Sequence, residues 1–285
     1  MNRSIIAVTR LHHGLGNRIR VVLSAQDLAE STGRDFAYVW PTGRAFGARL
    51  DDLWQADMRQ ISVPRSRMLA IRHPYRDASA DWRMEADGDA VWQIRTAQPI
   101  VVDGAIDTWH PRLRRLRPVA PITERVEELF DAELRGRPYL GVMIRSHSVS
   151  HERTRAESPL EWYLKRIGDV RRDHPHIPVF VSADTTDALD QVCSRFDDVH
   201  AIREKGPYNS LSALRAAVVD LYMLASSTHI LAPHYSSFPE LARYLAGPEV
   251  RLETSMTGEK SRFDATALTR VDDPTRPFKR KSAEG

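Results

Sequence analysis

Short apolar runs alternate with helix-period stretches along most of this chain, and that alternation restricts it to parallel βα units. Ser4–Thr9 reads as a strand, followed by a Gly-rich loop and a helix from about Asn17 to Ser31. The helix repeats Val21, Val22, Ala25, Leu28 and Ala29 at helical spacing, with Gly33 where a C-terminal cap belongs. Asp35–Trp40 is the next strand, stopped by Pro41. Between 41 and 118 the pattern loosens, with strands expected at Met68–Arg72, Ala90–Arg95 and Pro99–Val102.

A second regular series starts near Pro121. A helix over Ile122–Leu134 leads to a buried strand, Tyr139–Ile144, and Ser158-Pro159-Leu160-Glu161 opens another helix with Ser158 as N-cap. Strands follow at Val179–Ser182, Val199–Ile202 and Ile230–Ala232, separated by helices at Thr185–Phe196 and Asn209–Ser226. Ser237-Phe238-Pro239-Glu240 is a capping box leading into Leu241–Leu245, and Val250–Leu252 could be a last strand. The expectation is two α/β domains, 1–120 and 121–285, with a mobile tail from about Asp272.

Composition removes several function classes. With 285 residues, 42% hydrophobic and 28% charged, the chain has the makeup of a soluble globular protein. No apolar run approaches the ~18 residues of a transmembrane helix. Met1–Val8 turns polar too soon for a secretory signal, so a cytoplasmic location is expected. Cys193 is alone, which excludes an internal disulfide and a Cys-based metal site; its helical setting suggests a buried, inert thiol. Net charge is only +3, but arginines cluster at Arg112, Arg114, Arg115 and Arg117. No nucleic-acid-binding module is legible, so nucleic acid is not the expected partner. Arginine suits phosphate in small ligands equally well.

Four loops could carry chemistry. Gly14-Leu15-Gly16-Asn17-Arg18 lies between a strand and a helix N-terminus, where backbone N–H groups attract anions. It is neither a dinucleotide fingerprint nor a P-loop, and a tight turn capped by Asn17 would explain it as well. Arg145 and His147 leave the carboxyl end of a buried strand two residues apart, at the edge where open α/β sheets bind ligands. Arg145 could neutralise phosphate charge there or pair with a helix carboxylate. Asp184 ends the next strand and could bind a ribose or base, or cap the following helix. Asp220 sits on an apolar helix and could brace the loop before Ser236, Ser237 and Phe238, whose hydroxyl and N–H groups could hold a diphosphate. Ser237 could be spent as the helix cap. No His-Glu-x-x-His and no Gly-x-Ser-x-Gly occurs, so neither a zinc protease nor an α/β-hydrolase is expected, and no metal site is assigned.

These segments, in this order, resemble the GDP-fucose-dependent fucosyltransferases: the α-1,2, α-1,6 (nodulation enzymes included) and protein O-fucosyltransferases. The resemblance runs from about residue 10 to 245 through Gly14–Arg18, Ile144–His147, Val181–Asp184 and Asp220–Phe238. It implies a GT-B fold, two Rossmann-like domains facing across a cleft, and an inverting reaction that needs no metal and no cofactor beyond the GDP-sugar co-substrate. It also implies a C-terminal donor domain and an N-terminal acceptor domain. By resemblance Arg145 would contact the diphosphate, Asp184 the guanosine, and Ser236, Ser237 and Phe238 the phosphates or base. Gly16 and Asn17 would face the cleft from the other side. Two departures stand out: Met143 replaces the histidine two positions before the arginine, and Ser148 follows His147 where an acid is usual. Glu152 is the candidate base and Glu157 a weaker choice; both could equally be solvated loop residues, the reading favoured for Glu157.

The expected activity is therefore transfer of a sugar, fucose first, from a GDP donor to a hydroxyl acceptor, which could be a glycan, a peptide or a small metabolite. A transferase using GDP-mannose or a UDP-sugar is the alternative enzyme. A non-catalytic nucleotide- or glycan-binding protein on the same scaffold is the alternative from another class.

Overall fold

The computed structural model describes residues 3–147, 152–257, 269–277 and 280–282. The chain divides into two compact units, residues 1–119 with 207–214, and residues 120–206 with 215–285.

The first unit is built on a four-stranded parallel sheet. Its strands are β1 (Ser4–Val8), β2 (Asp35–Val39), β4 (Tyr75–Arg76) and β5 (Val91–Arg95), in the order β2-β1-β5-β4. β3 (Trp54–Gln55) lies outside this sheet and pairs antiparallel with β6 (Arg117–Pro118). Helix α1 (Leu15–Ser31) returns the chain from β1 to β2 and buries Ile19, Val22, Leu23 and Leu28. It begins two residues before the expected start and ends as anticipated, with Gly33 in the left-handed region at φ +64°. Ile6, Val8, Ala37, Val39 and Ile61 form one face of the core.

The irregular stretch held two surprises. Met68–Arg72, expected as a strand, instead finishes helix α2 (Val63–Leu69) and its following turn. Ser62 caps that helix and Pro64 sits in its first turn, a start signal that outweighs a short apolar run. Pro99–Val102 contributes only an isolated bridge between Val102 and Ala105. Helix α3 (His110–Arg115) carries Arg112, Arg114 and Arg115 of the arginine cluster, with Arg117 in β6, and Arg112 is committed to Asp27 and Glu30 of α1.

The second unit opens with α4 (Ala120–Leu129), which runs into a π-helical turn at Phe130–Leu134. Its sheet contains β7 (Leu140–Ile144), β8 (Val179–Ala183), β9 (Val199–His200), β10 (His229–Ala232) and β11 (Arg251–Thr254). All pairings are parallel, in the order β11-β10-β7-β8-β9. The connecting helices are α5 (Glu152–Glu157), α6 (Leu160–Asp173), α7 (Thr186–Arg195), α8 (Leu211–Ser226) and α9 (Ser237–Ala246). Leu140, Val142 and Ile144 of β7 meet Tyr163, Ile167 and Val170 of α6 and Leu189 and Val192 of α7. Gly141 fits because a Cβ there would lie 2.6 Å from Ser227 Oγ.

Two local expectations do not hold. Ser158 does not cap α6; the helix starts at Leu160, and the buried Ser158 hydroxyl accepts the backbone N–H of His234. Cys193 is only half-buried and accepts a hydrogen bond from Arg203. Within the tail from about Asp272, β13 (Arg280–Ser282) pairs antiparallel with β12 (Thr269–Val271) just before it, and Arg135 donates to the Asp272 carbonyl. The expected α/β class with parallel Rossmann-like sheets is the architecture observed.

Candidate active site

In the second unit's sheet, consecutive strands run outward from β7 through β8 to β9, then the chain returns to place β10 on the opposite side of β7. The carboxyl ends of β7 and β10 therefore form a topological switch point, where loops diverge and leave a crevice. Arg145 follows β7 directly, and residues 233–236 follow β10.

The Arg145 guanidinium lies 3.6 Å from Asp184 Oδ2 and 6.0 Å from the centre of the Phe238 ring, which is in the first turn of α9. Asp184 Oδ1 accepts the backbone N–H groups of Ser146 at 2.8 Å and His147 at 3.1 Å. One carboxylate, 10% exposed, thus shapes the loop after β7 and orients its arginine. Asp184 is not the cap of α7, because Thr185 takes that position and accepts from the Ala188 N–H. His147 is partly exposed and anchored by its own amide. Ser148 and His151 lie outside the described residues. Beneath this loop the Tyr163 phenol is pushed up, chiefly by burial, with Ser158, Asp184 and Arg145 acting on it. Nothing in the sequence distinguished Tyr163 from an ordinary core aromatic.

Around the β10 loop, Ser236 is the N-cap residue of α9 and Ser237 its first helical residue, so the cap falls one position before the expected one. Ser236 makes no side-chain capping bond, which leaves its hydroxyl available at the helix N-terminus. Tyr235 is 60% exposed and adopts a left-handed conformation, φ +62°. Such a conformation for a bulky residue persists only where its surroundings hold it. Helix α5 does the holding: Thr154 donates to the Tyr235 carbonyl at 3.3 Å, and Arg153 lies 5.0 Å from its ring centre. Glu152, at the start of α5, is exposed. Glu157 is not a solvated loop residue; it ends α5, accepts from Arg153 Nε at 2.8 Å and faces His234 Nε2 at 3.5 Å.

Asp220 is 2% exposed on α8. Its Oδ2 accepts from Ser182 Oγ at 2.7 Å and from Lys205 Nζ at 2.6 Å. Lys205 also donates to the Ala183 carbonyl at 3.0 Å. Asp220 therefore braces the end of β8, next to Asp184, and not the loop before Ser236. Its Oδ1 is buried with no hydrogen-bond partner among the described residues. Lys205 comes from a loop without local pattern, so nothing in the sequence marks it.

The first unit's Gly-rich loop is held from inside. Gly14 is the exposed N-cap residue of α1 without a side-chain bond, Gly16 is buried within the first turn, and Asn17 is the third helical residue instead of the cap. Asn17 Oδ1 is buried and unpaired among the described residues. Arg18 is completely buried and turned away from solvent. Its guanidinium donates to the carbonyls of His13 (2.8 Å), Pro41 (2.8 Å) and Leu11 (3.0 Å) and lies 3.8 Å from the Phe46 ring centre. Burial lowers its pKa to about 9. It also helps hold His13, whose pKa falls to about 4 through burial and the nearby positive charges of His12, Arg18, Arg10 and Arg20. Among the described residues no three His, Cys, Asp or Glu side chains are placed to hold a metal ion, and no helix is long and apolar enough to cross a membrane.

No protein-family model matches this chain, and no curated protein matches it in sequence. Solved structures do match it. NodZ α-1,6-fucosyltransferase soaked with GDP-fucose is 19% identical, with a TM-score of 0.59 over 86% of this chain and 93% of its own. Fucosyltransferase NodZ from Bradyrhizobium is 18% identical, with a TM-score of 0.60 over 88% and 94%. POFUT1 in complex with GDP is 12% identical, with a TM-score of 0.58 over 90% and 99%. At these identities the likeness establishes architecture: this chain has the fold shared by NodZ α-1,6-fucosyltransferase and POFUT1.

Proposed function

We propose that this protein is a glycosyltransferase that moves fucose from GDP-fucose to an acceptor hydroxyl, with inversion and without a metal ion. The observation that carries the reading is Arg145 at the switch point of a Rossmann-like sheet, beside the first turn of α9. An arginine and a helix N-terminus together suit a diphosphate, since both present N–H donors to spread negative charge. Matches to structures holding GDP-fucose or GDP support the same donor.

In this reading the acceptor oxygen attacks the anomeric carbon as the bond to the diphosphate breaks. Arg145, Ser236, Ser237 and the α9 N–H groups take up the charge developing on the leaving group. Phe238, its ring centre 6.0 Å away, stands beside the Arg145 guanidinium. Asp184 positions Arg145 and the loop carrying His147, and Asp220 with Lys205 fixes the strand end on which Asp184 stands. Glu152, exposed near the same loop, is the proposed proton acceptor. The first unit serves the acceptor through Gly14, Gly16 and Asn17, while Arg18 sets the shape of that loop.

A thermal-shift titration with GDP, UDP, ADP and GDP-fucose in the presence of EDTA tests the donor class. Selective stabilisation by the two guanine ligands is expected. A preference for UDP would transfer the reading to a UDP-sugar. Binding of GDP-fucose without release of GDP in any acceptor mixture would make the protein a binder.

A further inference from the structure

The donor reading uses one cationic side chain, Arg145, yet an imidazole stands at the other lip of the same switch point. His234 is the second residue after β10 and two residues before the α9 N-cap. Its backbone N–H donates to Ser158 Oγ at 2.8 Å. Its Nε2 faces Glu157 Oε2 at 3.5 Å, an oxygen that is buried and has no other hydrogen-bond partner among the described residues. The imidazole is nevertheless 33% exposed, so one edge is fixed while another remains accessible.

The Glu157 carboxylate faces the ring. Charged and titratable groups about it are Glu157, then Arg153, which pairs with Glu157 and lies over Tyr235, and Tyr235 itself. Ser158, which accepts the His234 amide, meets Ser255 and is uncharged. The carboxylate thus orients the ring from one edge. From this edge the chain turns through the left-handed Tyr235 into the first turn of α9, where the Phe238 ring lies 6.0 Å from the Arg145 guanidinium.

We propose that His234 is a second cationic contact for the diphosphate of the donor, converging with Arg145 on the first turn of α9. This rests on the reading that the protein takes a diphosphate-linked sugar. Three contacts from α5 hold the residue in place: Glu157 to the ring, Ser158 just past the helix to the His234 amide, and Thr154 to the next carbonyl. In the reaction the imidazolium stabilises charge on the phosphate oxygen as the anomeric bond breaks, with no proton lost to the leaving group.

The test is calorimetric titration of the intact protein with GDP-fucose at pH 6 and pH 8. GDP-fucose is the probe because its phosphates lack the secondary ionisation near pH ~6 that a terminal phosphate carries. The wild-type protein should bind several-fold tighter at pH 6, about tenfold at most, as expected for one charge-assisted hydrogen bond. His234→Gln should bind with one weak affinity at both pH values. His234→Lys should restore tight binding at both. An unchanged pH dependence in His234→Gln overturns the assignment while leaving the donor reading intact. Failure of His234→Lys to recover affinity, with its melting temperature unchanged, also overturns it. Absence of GDP-fucose binding by the wild-type protein at either pH removes the donor reading and this inference together.

Discussion

Lys205 Nζ lies 2.6 Å from Asp220 Oδ2, and this one ion pair ties a patternless loop to a buried helix beneath the end of β8. The same oxygen accepts the Ser182 hydroxyl, so the carboxylate is tolerated at 2% exposure only while its partners stay. Lys205→Met should destabilise the protein by about 3 kcal/mol, because breaking a buried pair strands the remaining charge. Adding Asp220→Asn should recover part of that loss. Urea unfolding of the two variants checks both statements, and a loss below about 1 kcal/mol for the single variant would mark the pair as solvent-screened.

Arg18 makes a separate structural demand. Three carbonyls accept from one planar guanidinium, a geometry that an ammonium does not reproduce. Arg18→Lys should therefore lower stability by about 2–3 kcal/mol through unsatisfied buried carbonyls. Chemical denaturation gives the magnitude. A variant that keeps full stability but loses a ligand would place Arg18 at the binding surface instead.

His13 beside it introduces acid sensitivity. Its pKa is about 4 in the folded protein against about 6.5 unfolded, so the unfolded chain binds the proton first. Its contribution to stability is complete above pH ~6.5 and is lost as the pH falls toward ~4. Between pH 7 and pH 5 the wild-type protein should lose about 1–2 kcal/mol that His13→Gln does not lose. Parallel urea titrations at the two pH values provide the comparison.

Arg145 is partly exposed and paired at 3.6 Å, so Arg145→Ala should change folding stability by no more than about 1 kcal/mol. Donor turnover should fall by about 10²–10³-fold if the side chain supplies charge stabilisation to the leaving diphosphate. Melting temperature and GDP release, measured on one preparation, separate the two effects. An unfolded variant with no turnover would instead make Arg145 a structural residue.

Much of the fold was legible where one element's signals agreed. β1, β7 and β10 announced themselves as apolar runs, and α1 as a 3.6-residue repeat ending at Gly33. Legibility failed where two local signals competed. Met68 and Leu69 look like strand residues, yet Ser62 and Pro64 had already started a helix over them. Ser158 looked like a cap, but a serine hydroxyl is as useful to a distant amide, and the His234 N–H took it. In the candidate site, Arg145 and Asp184 could be found because each follows a recognisable strand. Tyr163, Lys205 and His234 could not, since what sets them apart is the company they keep.

The sequence by itself determined the elements, because hydrophobic periodicity and cap residues act over a few positions and are written locally. It also determined which strand ends would carry Arg145 and Asp184. Only the tertiary structure decided what those side chains do. It turned Arg18 inward onto three carbonyls, drew Asp220 to Lys205 and set Glu157 against His234. The reason is physical: a buried charge takes whichever partner the fold brings within hydrogen-bonding distance, and that partner's place in the chain leaves no local trace.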